Sequence, residues 1–194
     1  MKMGKLEKQF VNSKRRAQSN IKLIEKLIRP LEDSNIKKVL EVGCGVGAVA
    51  AHLASTHGYD VVGTDLDPEQ IELAGRFNEK RWNLRFIEAD TTLLPFEDDE
   101  FDLVISMKVI HHIKNWQTAL GEIRRVLKSN GYHLFNDIAL SSTTSGLLRI
   151  LIKNFAAFTF NDILDWYQKE AFNIEHQRKP VGFILKHFMI VAQK

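Results

Sequence analysis

The sequence predicts an α/β protein with an open, mostly parallel sheet of seven strands, helices on both faces and an antiparallel final strand. Between residues 38 and 138, five short apolar runs of strand length alternate with segments of helical periodicity, the pattern of repeated strand–helix units. The first run leads into a glycine-rich turn at residues 43–47 and then directly into a helical pattern. The last two apolar runs are only about five residues apart, too few for a crossover helix, so these two strands must be antiparallel.

The N-terminal end of the chain has a helical pattern. Residues 5–18 are polar and are expected to form a helix that folds over another part of the protein. A second helix is expected after it, with Ser19 or Asn20 as its cap. Apolar residues recur at helical spacing over Ile21–Ile28, and Pro30 ends that pattern.

Two strand–helix units come next. Val39–Val42 is predicted as a buried strand, and the helix that begins at Ala48 should end near Gly58, where glycine suits a left-handed cap. Asp60–Asp65 is the second strand, and it ends in an acid. A helix over about Pro68–Lys80 follows, because proline is common in a first helical turn.

The third, fourth and fifth strands follow at a similar spacing. Leu84–Asp90 alternates as a strand and again ends in an acid, and Phe101–Ser106 is the fourth strand. An amphipathic helix is expected over Trp116–Lys128. The Ser-Asn-Gly sequence at 129–131 predicts a turn into the fifth strand, Tyr132–Ile138.

The C-terminal part begins with a Ser/Thr-rich loop over residues 139–146. Leu147–Phe158 is predicted as a helix that is apolar on more than one face, and a further helix is expected over about Asn161–Ala171. The two closing strands are predicted at about Phe172–Arg178 and Ile184–Ala192.

This order of elements suggests an N-terminal helical arm over residues 1–37 and a main domain over residues 38–194, in which residues 139–158 form a lid-like insertion. Residues 1–38 carry a net charge of +7 and the rest of the chain −4. The basic arm could attract nucleic acid, anionic lipid or an acidic substrate, or it could be a solvated helix face. Phe10 alone interleaves with these charges, so a base-stacking surface is not indicated.

Composition places the chain among soluble globular proteins, with 44% hydrophobic and 26% charged residues. No run of 18 apolar residues occurs, so no membrane span is expected, and the lysines near the N-terminus lack the apolar core of a secretory signal. The single cysteine, Cys44, allows no internal disulfide and gives no metal-ligand spacing. We therefore expect a cytoplasmic protein; the sequence does not indicate its oligomeric state.

The carboxyl ends of the parallel strands should meet along one edge of the sheet, which collects Gly43, Asp65, Asp90 and Ser106. An acid at the end of the second strand of such a sheet reaches the two hydroxyls of a ribose. An acid at the end of the third strand can accept a hydrogen bond from an exocyclic amine such as that of adenine. Asp65 and Asp90 together predict a bound adenosine.

The charge around this edge favours a cationic adenosine cofactor. Glu41 and Asp67 add to the two strand-end acids, and none of residues 39–75 is Lys or Arg. A dinucleotide would bring a pyrophosphate, which requires a helix N-terminus without neighbouring acids. S-adenosylmethionine has sulfonium and ammonium groups and no phosphate, so it suits this field. No metal ion is expected.

Five stretches resemble motifs of the class I S-adenosylmethionine-dependent methyltransferases, of the small single-domain, Rossmann-like type. VLEVGCGVGAVAAHL resembles the first motif, VVGTDLDPEQIELA the second, and FIEADTTLLPFEDDEFDLVIS the third and fourth. KVIHHI and RRVLKSNGYHLFNDI resemble the segment after the fourth strand and the turn into the fifth. The match keeps its order and spacing from about residue 38 to residue 138. It departs from the family at 129–131, where proline and glycine usually precede the final glycine.

The resemblance implies a cofactor site. Asp65 stands at the ribose position and Asp90 at the adenine position with Thr91 beside it, while Glu41 and the first glycines would hold the methionine end. The residues expected to bind S-adenosylmethionine are Glu41, Gly43, Cys44, Gly45, Gly47, Asp65, Leu66, Asp90, Thr91, Ser106 and Met107.

Methyl transfer from a sulfonium is an in-line displacement, so the enzyme mainly has to align the reacting atoms and exclude water. A base is needed only if the acceptor must lose a proton. His111, His112 and Asp137, at the tip of the fifth strand, are the candidates, although either histidine could serve only to orient the loop. Cys44 is expected to fill a tight turn, and the acidic residues 97–100 are expected to form a solvated loop.

The methyl acceptor is expected to be a small molecule, apolar or aromatic if Phe155 and Phe158 line its pocket. Alternatively, residues 147–158 form a lid that packs on the sheet and on the helix at residues 21–28. A third alternative is shallow membrane contact helped by Arg149 and Lys153, which the short and weakly amphipathic segment disfavours. Two other functions stay open: a non-catalytic, methyltransferase-like binding or scaffold protein, and an NAD-dependent oxidoreductase, in which the glycine turn and Asp65 would hold the dinucleotide.

Overall fold

The computed structural model describes residues 13–141, 156–182 and 185–194, except for the side chains of residues 179 and 180. Its seven strands form a single sheet in the order β3-β2-β1-β4-β5-β7-β6. The sheet is mixed and mostly parallel, so the predicted fold class is confirmed. The chain divides into two compact units, Met1–Thr91 and Thr92–Lys194.

Over its described residues, 13–91, the first unit contains three parallel strands and three α-helices. In chain order its elements are α1 (Lys14–Ile28), a short 3-10 helix (Arg29–Leu31), β1 (Lys38–Val42), α2 (Ala48–Thr56), β2 (Asp60–Asp65), α3 (Pro68–Phe77) and β3 (Leu84–Glu88). The strands β1 and β2 pair in parallel, as do β2 and β3. The three strands predicted here are confirmed, with ends that differ by no more than two residues.

Helix α1 begins at a residue that a side-chain hydrogen bond defines. Ser13 caps α1 by accepting from the backbone N–H of Arg16, so this helix is continuous from Lys14 and does not begin at Ser19 or Asn20. The buried face of α1 consists of Ile24, Leu27 and Ile28. These are three of the four apolar residues whose spacing predicted the helix.

Helix α3 is shorter than predicted, ending at Phe77 and not near Lys80. Asn78 is extended, and its side-chain amide donates to the carbonyl of Ala74 at 2.7 Å and to that of Val46 at 2.9 Å. The amide thereby satisfies one carbonyl of the last helical turn. The helix ends because Asn78 ties it to the loop before α2, a contact that no local pattern announces.

The described part of the second unit contains four strands and two α-helices. In chain order its elements are β4 (Phe101–Met107), a short 3-10 helix (Ile110–His112), α4 (Trp116–Val126), β5 (Leu127–Leu140), α5 (Phe160–Lys169), β6 (Asn173–Val181) and β7 (Leu185–Gln193). The strands β4 and β5 are parallel, whereas β7 is antiparallel to both β5 and β6. The predicted antiparallel closing strand is confirmed.

The predicted turn at residues 129–131 is instead an irregularity within β5. Pairing with β4 shifts from Phe101–Leu127 to Leu103–Tyr132, so the intervening residues of β5 bulge out of register. Asn130 takes a left-handed conformation with φ of 67°. The helix before it, α4, ends two residues earlier than predicted.

Strand β5 also runs past its predicted end, to Leu140. Residues 142–155 lie outside the described residues. They include most of the predicted loop over 139–146 and most of the predicted helix Leu147–Phe158. The end of that helix is wrong, because residues 156–158 are not helical. The carbonyl of Phe158 accepts from the N–H of Leu140 at 2.9 Å, so this segment lies beside the end of β5.

Phe158 belongs to the aromatic core of the second unit. It is almost fully buried, and its ring centroid lies 5.5 Å from that of Trp116 and 6.4 Å from that of Phe188. This position favours the packing alternative for Phe158. Within the described part of the chain, no helix combines the length and apolar character needed to cross a bilayer.

Candidate active site

The conformation of the glycine turn in the first unit is set by backbone hydrogen bonds and by three glycines in the left-handed region. Gly43, Gly45 and Gly47 have φ angles of 65°, 54° and 73°, values at which any side chain would be strained. The N–H of Cys44 donates to the carbonyl of Thr64 at 2.8 Å, which fastens the turn to β2. Gly47 is the N-cap of α2, so the turn leads directly into the positive end of that helix.

The turn also lies tightly against β3. A Cβ atom on Gly47 would stand 2.4 Å from the ring of Phe86, which leaves no space for a side chain. A Cβ on Gly63 in β2 would stand 2.8 Å from the same ring. The ring of Phe86 therefore requires glycine at both positions, because the glycine turn and β2 both lie directly against it. Sequence reasoning missed this role, because it treated Phe86 only as part of a strand.

Glu41 is buried at the end of β1 and serves the helix that follows. Its Oε2 accepts from the N–H of Ala50 at 2.9 Å, which satisfies one of the unpaired donors in the first turn of α2. Burial raises the pKa of Glu41 to about 8, an effect that the Ala50 hydrogen bond opposes and the nearby charge of Asp65 reinforces. This acid is thus poised to change its charge near neutrality.

Asp65 ends β2 and bonds to the glycine turn. Its Oδ2 accepts from the N–H of Gly45 and its Oδ1 from the N–H of Asp67, both at 2.9 Å. Burial raises the pKa of Asp65, although these backbone hydrogen bonds work against that shift. A carboxylate has about four acceptor positions, so Asp65 can still accept from two ribose hydroxyls. The predicted ribose acid therefore fits this role.

The other predicted residues of the first unit differ in exposure. Asp90 is exposed, and Leu66 also presents its side chain to solvent at 53% exposure, so both can reach a ligand. Thr91 is buried beside Asp90. Burial raises the pKa of the Cys44 thiol well above its ordinary value, which agrees with a small residue filling a turn.

Ser106, predicted near the methionine end, is fully buried in the second unit. Its Oγ lies 2.9 Å from Nε2 of His133, whose Nδ1 lies 2.6 Å from the hydroxyl of Tyr167. Burial lowers the pKa of His133 to about 3, so the ring is neutral, and burial raises the pKa of Tyr167. The hydroxyl of Ser106 is therefore engaged in the core. The next residue, Met107, is half-buried at the end of β4.

His111 and Asp137 form a buried pair in the second unit. Nδ1 of His111 hydrogen-bonds Oδ1 of Asp137, which also accepts from the N–H of Ile138 at 2.8 Å. Oδ2 of Asp137 accepts from the N–H groups of Ile110 at 2.9 Å and His111 at 3.3 Å. The carboxylate therefore orients both the 3-10 helix and the imidazole that it carries.

This pairing selects the tautomer of His111. Because Asp137 accepts at Nδ1, the proton of the neutral ring lies there and Nε2 is the basic nitrogen. The ring of His112 lies 3.9 Å from that of His111 at an angle of 41°, and it is half-buried. Asp137 lies three residues before the end of β5, and not at its tip as predicted.

The structure thus brings the predicted residues together in two groups, each within one unit. Glu41, Gly45 and Asp65 are linked in the first unit, and His111 and Asp137 in the second. In the acidic loop of residues 97–100, Asp98 pairs with Arg125 and Asp99 with Lys194. Residues that sequence reasoning missed are Asn78, Phe86, His133 and Tyr167, because no local pattern indicates the contacts that they make.

Residues 40–135 match a family model described as a methyltransferase domain. The chain contains a methyltransferase domain. The matched stretch contains the glycine turn, Asp65 and His111, and it ends just before Asp137. The family model therefore covers the same part of the chain in which the sequence motifs were found.

Two curated relatives illustrate the range of the family. A methyltransferase of Streptomyces halstedii, GfsG, is 30% identical over 146 residues, covering 74% of this chain and 52% of that protein. A sterol 24-C-methyltransferase of Gibberella zeae is 37% identical over 97 residues, covering 48% of this chain and 26% of the other. The chain spans about half or less of the length of the curated relatives that it matches.

A solved structure shows the same fold. The N-methyltransferase 2 of Haemonchus contortus, in complex with phosphomonomethylethanolamine and S-adenosylhomocysteine, superimposes with a TM-score of 0.81. The match covers 96% of this chain and 56% of that one, at 19% sequence identity. This similarity supports the methyltransferase fold and leaves the acceptor undecided.

Proposed function

We propose that the chain transfers a methyl group from S-adenosylmethionine to an apolar or aromatic small molecule. The observation that carries the proposal is the bond between the N–H of Gly45 and Oδ2 of Asp65, which joins the glycine turn to the acid at the ribose position. The family match over residues 40–135 covers both of these groups. Neither feature depends on the identity of the acceptor.

The cofactor site that we propose lies at the ends of the strands of the first unit. Asp65 would accept from the ribose, Asp90 and Thr91 would bind the adenine, and the exposed side chain of Leu66 would add an apolar contact. Glu41 and the glycine turn face the methionine end. When bound, S-adenosylmethionine would supply a methyl group on a sulfonium: as the acceptor bonds to the methyl carbon, the carbon–sulfur bond breaks and the neutral thioether S-adenosylhomocysteine leaves.

His111 is the base that we propose for acceptors that lose a proton. Asp137 holds the Nδ1 proton, so Nε2 of His111 can take a proton from the acceptor and the resulting imidazolium is stabilised by the buried carboxylate. Ile110 and Ile138 donate to the same carboxylate and keep it in place. His112 is positioned to shape the ring environment of His111.

An apolar acceptor is supported by sequence and by relatives. Residues 147–152 are mostly apolar, and one relative of the chain is named as a sterol methyltransferase. Phe155, the other aromatic proposed for the pocket, lies outside the described residues. We propose further that the enzyme acts in the cytoplasm on this small molecule.

Calorimetry with S-adenosylhomocysteine tests the cofactor assignment. The wild-type protein should bind it, whereas NADH should neither bind nor raise the melting temperature. Asp65→Asn should weaken the affinity, because it removes charge-assisted hydrogen bonds of about 1.5–3 kcal/mol each. Asp60→Asn, at the opposite end of the same strand, is the matched control and should leave the affinity unchanged.

Two results would overturn the proposal. Equal affinity for S-adenosylhomocysteine in a folded Asp65→Asn protein would remove the cofactor assignment, and stabilisation by NADH alone would favour an oxidoreductase. Incubation with methyl-labelled cofactor and a panel of apolar and charged acceptors then tests the acceptor. Transfer only to charged acceptors would contradict the apolar class, and binding without any transfer would favour a binding or scaffold protein.

A further inference from the structure

A cluster of two histidines and one glutamate lies in the first unit, apart from the residues assigned to the cofactor. Glu25 comes from α1, His52 from α2, and His57 directly follows α2. Nε2 of His52 lies 2.7 Å from Oε1 of Glu25, and Nε2 of His57 lies 2.8 Å from the same oxygen. Residues distant in sequence thus direct three potential ligand atoms at one point.

The geometry of this cluster matches a transition-metal site. One atom from each of the three residues, chosen among metal-binding nitrogens and carboxylate oxygens, lies within 4.8 Å of the other two. Zinc bonds of about 2.0–2.2 Å in tetrahedral geometry separate neighbouring ligand atoms by roughly 3.3 Å. The Nε2–Oε1 distances need to open by only about half an ångström to reach that value. Small side-chain rotations can provide such a shift.

The surroundings also suit a bound cation. Nδ1 of His52 lies 3.4 Å from Oγ1 of Thr56, so a proton on that nitrogen has an acceptor while Nε2 binds metal. His57 stacks on Tyr59 with ring centroids 5.2 Å apart, which limits the orientation of its ring.

The site is accessible from solvent. The side chains of Glu25, His52 and His57 are 36%, 25% and 19% exposed, so an ion can enter while the ligands stay partly ordered by packing. Two imidazoles and one carboxylate favour zinc or a similar late transition metal over magnesium or calcium, which prefer oxygen ligands. Three protein ligands leave one tetrahedral position for water or an external ligand.

We propose that Glu25, His52 and His57 form a zinc site that fastens helix α1 to helix α2. The apolar face of α1, around Ile24 and Ile28, already buries the helix against the first unit. A metal bound beside that face would bridge the two helices directly. The site does not depend on methyl transfer and lies apart from the glycine turn.

Zinc titration against a chromophoric chelator measures the site in protein first treated with EDTA. The wild-type protein should bind one equivalent of Zn²⁺ and melt at a higher temperature with zinc than without it, while Mg²⁺ should have no effect. Co²⁺ in place of zinc should give the visible absorption of a four-coordinate ion. His57→Gln should lower zinc affinity by more than about 100-fold, since even loss of an outer-shell partner costs 10–100-fold.

Two further variants make the result specific. Glu25→Gln keeps the size of the side chain but removes the anionic ligand, so it should also lose the zinc-dependent rise in melting temperature. His176→Gln changes an exposed histidine in β6 and should bind zinc as the wild-type protein does. Wild-type affinity in folded His57→Gln and Glu25→Gln proteins, or an equal loss in His176→Gln, would overturn the proposal.

Discussion

At the scale of single residues, Glu41 combines a structural hydrogen bond with a raised pKa. Its carboxylate accepts from the N–H of Ala50 and thereby supports the first turn of α2. The same residue is the acid that motif resemblance assigns to the methionine end of the cofactor. Its burial makes the structural contact measurable without any ligand, because the carboxyl titrates near neutral pH.

Glu41 should make the stability of the protein depend on pH. The folded-state pKa of about 8 lies above the ordinary value of 4.5, so the stabilising contribution is fully present below pH 4.5 and is lost as pH rises through 8. In this window the free energy of unfolding should fall by up to about 1.4 kcal/mol per pH unit. Glu41→Gln keeps an acceptor for Ala50 and should remove this slope.

Urea unfolding of both proteins at several pH values between about 5 and 8 measures the difference. Subtracting the two curves cancels all other titrating groups that the substitution leaves unaffected. If the curves of wild type and Glu41→Gln run parallel, Glu41 does not titrate in this range in the folded protein.

At the scale of elements, strand β2 could be predicted more closely than helix α3 or strand β5. The run Asp60–Asp65 is buried at four consecutive positions, and its bounds agree with the prediction. Helix α3 ends early because Asn78 contacts Val46, 32 residues away in sequence. The limits of β2 follow from a local apolar run, whereas the end of α3 depends on a partner far along the chain and β5 extends past its apolar run at both ends.

The candidate site was predictable to the same extent. Asp65 could be predicted because it is the last residue of β2. His111 and Asp137 were each predicted from their place in the order of strands. Their bond could not be read from sequence, because the two residues are 26 positions apart and meet only through the fold. His133 shows the limit most clearly, since no local pattern predicts its burial or its contacts with the hydroxyls of Ser106 and Tyr167.

Tyr167 should matter to the attachment of α5 to β5. Its hydroxyl bonds Nδ1 of His133, and both residues are fully buried. Tyr167→Phe should leave that nitrogen without its partner and lower the free energy of unfolding by about 1–3 kcal/mol. Tyr132→Phe is the control, because the Tyr132 hydroxyl bonds the partly exposed Gln193 and should contribute less. Urea unfolding that shows equal losses in the two variants would contradict a special role for the His133 contact.

At the scale of the whole molecule, the two groups of site residues belong to different compact units. Asp65 and its partners lie in Met1–Thr91, and the pair of His111 and Asp137 lies in Thr92–Lys194. If the first group holds the cofactor and the second handles the proton of the acceptor, substitutions in the two units should separate binding from turnover. Fold similarity cannot supply this assignment, because one fold supports many reactions.

Asp65→Asn should therefore impair cofactor binding, whereas His111→Gln should impair turnover. Asp65→Asn should weaken S-adenosylhomocysteine binding by about tenfold or more, because each lost charged hydrogen bond contributes about 1.5–3 kcal/mol, yet kcat should recover at saturating S-adenosylmethionine. His111→Gln should bind S-adenosylhomocysteine like the wild type but lower kcat by about 100-fold or more on an acceptor that loses a proton, with the pH dependence of kcat lost as well. Calorimetry and labelled-methyl assays on both variants provide these values. Loss of S-adenosylhomocysteine binding in folded His111→Gln would place His111 with the cofactor, and an unchanged kcat would leave it the role of orienting the loop.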